Sequence, residues 1–171
     1  AIFQVLPAAS SSRTFRFVEG SGFELLENAD SGGQRLYAGF GADGRVVGFA
    51  VEAQGMGYQD VIGILYGYAP ESDAIIGMKV LESRETPGLG DKIETDAAFL
   101  ENFKNLDVSL SPDGSNVAHR IEVTRRGAAP HPWQIDGITG ATISSGAIAN
   151  ILDASAGVWI PRIRHSLADF R

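Results

Sequence analysis

The chain has no cysteine. Disulfides, thiolate nucleophiles and cysteine-held iron–sulfur or zinc centres are therefore excluded. Histidine is scarce, and His119, His131 and His165 show no short metal-ligand spacing. Positive charge is also short. Lysine and arginine number 14 against 21 acidic residues, for a net charge of -7. A nucleic-acid partner is disfavoured on that balance, because affinity for a phosphate backbone needs a positive field. No run of the sequence reads as a membrane span or a signal peptide.

What is present suits one domain. With 171 residues and 44% hydrophobic content, the chain can bury a core of its own. The opening AIFQVLPAA is broken by Pro7 and followed by Ser10–Ser12. It reads as a short edge element or a stub, so residues 1–12 are set apart from a single domain over 13–171. RTFRFVEGSGFELLENA (13–29) predicts strand–turn–strand, with a short helix over 23–29 as the alternative.

From Gln34 the pattern sharpens. RLYAGF leads into the turn ADGR (42–45), where Gly44 can take positive φ. VVGFAVEAQGMG, VIGILYGYA (61–69) and AIIGMKVLES (74–83) follow as strands rich in β-branched and aromatic residues. Short links between them predict an antiparallel meander. Gly48, Gly63, Gly67 and Gly77 weaken these strands unless something lies close over them, a helix or a ligand. Twist or bulge sites are the plainer alternative. Residues 95–104 fit a helix that Thr95 or Asp96 can cap. HRIEVTRR (119–126) predicts a strand available to the same sheet. GAAPHPWQ is irregular around Pro130 and Pro132. Residues 142–169 predict helix, with Pro161 kinking it or starting a second. The expected class is α+β: an antiparallel β-sheet covered by helices.

Two loops have the composition for chemistry. In IDGITGATISSG (135–146), Thr142, Ser144 or Ser145 can cap the helix that follows. The same first turn offers free N–H groups and the positive end of the helix dipole, which attract phosphate. Gly140 and Ala141 leave room for a bulky group, and Gly137 relaxes the turn. A capping turn and a phosphate-holding turn both fit these residues. No Gly-Lys-Ser/Thr follows, so this is not a Walker loop, and the glycine spacing is not that of a dinucleotide fingerprint. In RETPGLGD (84–91), Pro87 stiffens the chain between Thr86 and Gly88, and Leu89 stands alone as an apolar residue. The loop reads as an ordinary connection or as a cover over a flat or anionic ligand. Glu82, Glu85 and Asp91 have no acid–base partner at a telling spacing and read as a solvated rim. Tyr66 and Tyr68 share a strand face, as in ordinary packing, whereas Tyr58 sits in a glycine turn where it can touch a ligand. Trp133 is expected beside the helix entrance, with His131 at the surface.

Three blocks, in this order, carry a resemblance: GYQDVIGILYGY (57–68), GMKVLESRETPGLGDKI (77–93) and DGITGATISS (136–145). They resemble the FMN-binding domain family, in particular the RnfG and NqrC type of flavin subunit in membrane redox pumps, and are closer to RnfG. The likeness spans nearly the whole chain. It implies FMN bound covalently, its phosphate esterified to the hydroxyl of Thr142. Asp136, Gly137, Thr139, Gly140 and Ala141 would complete the attachment motif, with Ser144 and Ser145 just beyond it. Glu85, Thr86, Gly88, Leu89 and Gly90 would lie against the flavin, and Tyr58 joins them as the tyrosine best placed for contact.

The resemblance also implies partners and a place. A flavin transferase, with FAD as donor and magnesium as its metal, would install the group. Other subunits of a membrane redox complex would supply and remove electrons, so no catalytic residue is expected in this chain. The domain would sit on the periplasmic face of the inner membrane, held by an N-terminal helix after which AIFQVLPAA would follow. Two rival expectations stand beside this one. The domain could be a sensory or binding module holding FMN or another phosphorylated ligand reversibly, or a structural domain with vestigial flavin loops.

Overall fold

Alternating and β-branched sequence gives β1 (Ser11–Val18), β2 (Gly22–Leu25), β3 (Arg35–Phe40), β4 (Val46–Met56), β5 (Val61–Ala69) and β6 (Ala74–Glu82). The computed structural model describes residues 1–28, 33–128 and 131–171. With the short β7 (Leu106–Asp107), these strands form one 7-stranded sheet in the order β2-β1-β3-β4-β5-β6-β7. Each neighbouring pair is antiparallel. The predicted meander is thus β3 through β6. The turn before β4 has Gly44 at φ 80°. Residues 13–28 form strand–turn–strand rather than a helix. Ala29 and Pro130, part of the stretches read above, lie outside the described residues.

One face of the sheet is covered by α4 (Thr142–His165). Ile148, Ile151, Leu152, Ile160 and Ile163 share a core with Phe49, Val51, Ile64 and Tyr66. Each such aliphatic side chain taken from water contributes about 1.5–3 kcal/mol. The hydroxyl of buried Tyr66 meets that of half-buried Ser155 at 2.7 Å, so the tyrosine is satisfied where it is sealed. Pro161 lies inside the helix, which continues to His165 as a single element. α4 is also long and apolar enough to cross a membrane by length and composition, contrary to the sequence reading. More than half of the qualifying window is buried, and here it serves as a core helix.

The other face carries α1 (Ile2–Val5). Val5 and Leu6 are buried in a second cluster with Ala50 and Leu65. The strand glycines make that approach possible. A Cβ at Gly67 would collide with the carbonyl of Val5, and one at Gly77 would lie 2.8 Å from the Val5 Cα. Close covering was one of the two readings of these glycines, and the cover is the chain's own N-terminal segment. Gly63 lacks that cover, and the β5–β6 register shifts there, as it does again at Gly67, so the bulge reading holds as well.

Smaller elements occupy the chain between β6 and α4. α2 (Lys92–Thr95) and α3 (Ala97–Glu101) are joined by Asp96, whose carboxylate accepts the Phe99 N–H at 2.8 Å as the α3 cap. A 3₁₀ turn, Asn102–Lys104, completes the predicted helix and packs on β6. The expected strand over 119–126 does not join the main sheet. It shrinks to β8 (Glu122–Thr124), which pairs in parallel with β9 (Gln134–Asp136). Three-residue pairing leaves the rest of HRIEVTRR outside regular structure. Pro132 falls in the turn before β9, where Trp133 stacks between two imidazoles. Its ring lies 3.6 Å from His119 and 4.7 Å from His131, nearly parallel to both.

Candidate functional site

β9 delivers the chain to the turn that precedes α4, and several bonds fix that turn. The Asn102 side chain takes the Asp136 N–H and gives its own N–H to the Asp136 carbonyl, both at 3.0 Å. The Asp136 carboxylate accepts the Gly127 N–H. Gly137 N–H bonds the Thr124 carbonyl at 2.8 Å, and a Cβ on Gly137 would sit 3.0 Å from that oxygen. Arg126 donates to the Gly137 carbonyl and to Asp96, linking the turn to the α3 cap. Ile138 is buried as the turn's apolar anchor. Gly140, at φ 82°, then reverses the chain into the helix.

The first turn of α4 departs from simple capping. Its N-cap position is Ala141, and no side chain caps it. Neither Thr142 nor Ser144 nor Ser145 takes that role. Ser145 is buried, accepts the Ile138 N–H and donates to the Ala141 carbonyl, so it braces the turn from inside. Ser144 is buried and donates to Glu85 Oε2 at 2.9 Å. Thr142 is left exposed. Of Thr142, Ser144 and Ser145, this helix start therefore presents Thr142 outward, turns Ser144 to the Glu85 carboxylate, and leaves its N-cap without a side-chain bond.

That end of the helix forms a wall of a cavity of about 410 Å³. Gly140 to Ser144 line one side; Glu85, Thr86, Leu89 and Gly90 line the other; Tyr58 closes it from the β4–β5 turn. Tyr58, both loops and Thr142, each singled out in the sequence, thus surround a single cavity. Asp136, Gly137, Thr139, Ser145 and Gly88 are not among the lining residues; the first four belong to or brace the turn, and Gly88 shapes the second loop at φ 76°. Ile143 was missed. It is a lining residue, 60% exposed, and an apolar residue at a helix start gives no signal of that in sequence. Tyr58 and Leu89 are exposed as well, so the mouth is apolar.

Glu85 differs from the expectation of a solvated rim. It is 5% exposed. One carboxylate oxygen accepts from Ser144 and the other from the Gln59 N–H at 3.3 Å. The Gln59 side chain also donates to Thr86 Oγ1. Among the described lining residues Glu85 is the one charged group, and none is lysine, arginine or histidine.

A sheet backed by one long helix, with a cavity at that helix's start built from two glycine-bearing loops, defines a small cofactor-holding domain. The sequence profile of the FMN-binding domain matches residues 57–156, a span that takes in every residue lining the cavity, and the chain belongs to that family. Among relatives, it is 34% identical over 160 residues to the RnfG component of the ion-translocating oxidoreductase complex of Methanosarcina acetivorans, covering 91% of this chain and 71% of that protein. With the component of the same name from Cereibacter sphaeroides it shares 37% identity over 94 residues, 55% of this chain and 40% of that protein. Two crystal structures have the same fold. NqrC of Shewanella oneidensis superposes with a TM-score of 0.65 over 97% of this chain and 75% of that one, at 21% identity. The NqrC-type component of the Na(+)-translocating NADH-quinone reductase of Parabacteroides distasonis gives 0.67 over 91% and 78%, at 19% identity.

Proposed function

We propose that this chain is an electron-transfer domain whose FMN is esterified through its phosphate to Thr142 Oγ1. The observation that carries the reading is the exposed Thr142 hydroxyl at a helix start with no side-chain cap, in a cavity with no cation among its described lining residues. A domain that held the phosphate dianion of free FMN reversibly would need a counter-charge or several dedicated donors. A phosphodiester carries a single charge, which a helix N-terminus accommodates. Gly140 and Ala141 add no bulk beside it.

The rest of the cavity fits a flat, largely apolar ring. Leu89, Ile143 and Tyr58 offer the apolar surface, and Thr86 and the loop backbone offer polar groups for its edge. When bound, FMN takes up and releases one or two electrons. The protein's part is to hold it by the hydroxyl, to limit water around it with the loop over 85–90, and to leave its mouth open toward a partner.

Attachment is the work of a second protein, a flavin transferase. The Thr142 oxygen forms a bond to phosphorus as the pyrophosphate of FAD breaks; AMP leaves, and the hydroxyl proton is released. Magnesium in the transferase would neutralise the pyrophosphate. The names borne by the relatives support a place among the subunits of an ion-translocating oxidoreductase complex. The domain would lie on the periplasmic face of the membrane.

The test is intact-mass measurement after co-expression with a flavin transferase. Wild-type protein gains one FMN less one water, and the adduct survives denaturant. Thr142→Val gains nothing. A flavin that washes out of the wild type in denaturant, or an adduct that persists in Thr142→Val, overturns the reading.

A further inference from the structure

The buried polar side chains among the described residues, tyrosines apart, are Glu85, Ser144 and Ser145, and all three lie at this one site. Ser145 is explained by the turn it braces. Glu85 calls for more. Its two oxygens tie three separate segments together: its own loop, the β4–β5 turn through Gln59, and the first turn of α4 through Ser144. The fit is tight. A Cβ on Gly57 would collide with Glu85 Oε1, and one on Gly90 would lie 2.9 Å from Oε2 and 2.7 Å from Ser144 Oγ.

Tying alone does not require an acid. A glutamine could accept from Gln59 and donate to Ser144 with nearly the same shape and no buried charge to desolvate. The carboxylate instead keeps a negative charge in the wall of a cavity that has no cation among its described lining residues. Its compensation is two neutral donors and the dipole end of α4. Such a charge, in surroundings less polarisable than water, acts on whatever sits in the cavity. It disfavours an added electron there.

Resting on the function proposed above, we propose that Glu85 is a positioning residue that also sets the potential of the site. Its carboxylate locks the loop over 85–90 to the helix start. Its charge holds the midpoint potential of FMN below the value a neutral side chain would give.

The test is a redox titration of the flavinylated fraction, so that attachment yield does not enter. Glu85→Gln shifts the midpoint to more positive values. Glu85→Asp, which keeps the charge on a shorter arm, stays closer to wild type than Glu85→Gln does. Ser144→Ala removes one donor from the carboxylate, leaves its charge less compensated and shifts the midpoint to more negative values. This last variant retains the acid and carries the test if Glu85→Gln does not fold. A Glu85→Gln midpoint equal to wild type overturns the inference, as does a Ser144→Ala midpoint that is unchanged or more positive, while the covalent reading stands. A wild type that never acquires FMN overturns that reading first and this one with it.

Discussion

Glycine does opposite work at two places in this molecule. On the back of the sheet, Gly67 and Gly77 are empty of side chain because the chain's own Val5 and Leu6 fill the space. At the mouth of α4, Gly140 has no neighbouring atom within 4 Å of where a Cβ would stand, and its φ is 82°. The first pair is about contact within the fold. The second position is about backbone direction and open room. An identical residue marks a closed interface in one region and a vacant approach in the other, so a glycine count alone cannot separate core from site.

Substitutions at the two places sharpen the contrast. Gly67→Ala drives a methyl against the Val5 carbonyl, and overpacking of this kind costs about 1–3 kcal/mol. Urea unfolding should show the loss, and amide exchange should show residues 2–6 released from the sheet. Gly140→Ala meets no atom and suffers only the left-handed backbone, about 1–2 kcal/mol. Its unfolding midpoint should move less than that of Gly67→Ala. A larger loss at Gly140 than at Gly67 would break the comparison.

The smallest expected effect is that of acid on the turn. The hydrogen bond from Arg126 to Asp96, with the Phe99 N–H behind it, holds the Asp96 carboxyl below its ordinary range. A depressed value in the folded state means that this contribution is fully present above the ordinary carboxylate range. It is lost as pH falls through the depressed value. Asp96→Asn should therefore flatten the acid limb of the stability profile measured by thermal unfolding, and leave the neutral region with a modest deficit from the lost ion pair with Arg126, since asparagine caps a helix about as well as aspartate. Because Arg126 also holds the Gly137 carbonyl, the acid-induced change should register in the turn before α4.

The meander was legible because its strands are long, apolar and joined by obvious turns. β8 and β9 were not, since a three-residue parallel pair leaves almost no period to read. The N-terminal cover was half legible: the strand glycines announced that something approached, and nothing in AIFQVLPAA announced that it was this segment. Within the site, the two loops could be picked out, and their joint resemblance to a flavin-holding family named the cofactor. Burial of Glu85 could not be read. Its partner Ser144 lies 59 residues away in sequence, and only the docked helix brings them together. Ile143 stayed hidden for the opposite reason, because an exposed isoleucine breaks the pattern by which apolar residues are assigned to cores.

The stacking of Trp133 between His119 and His131 has a practical consequence. The chain has two tryptophans, and the other, Trp159, is buried against Phe23. Indole emission from this protein therefore divides into one signal from the interior and one from Trp133, in the turn just before β9, the strand that leads to the start of α4. Excited indole can pass its energy to a nearby yellow chromophore. If the flavin is esterified at Thr142 as proposed, its arrival should dim the two emitters unequally, giving a label-free optical readout of loading in a live reaction mixture.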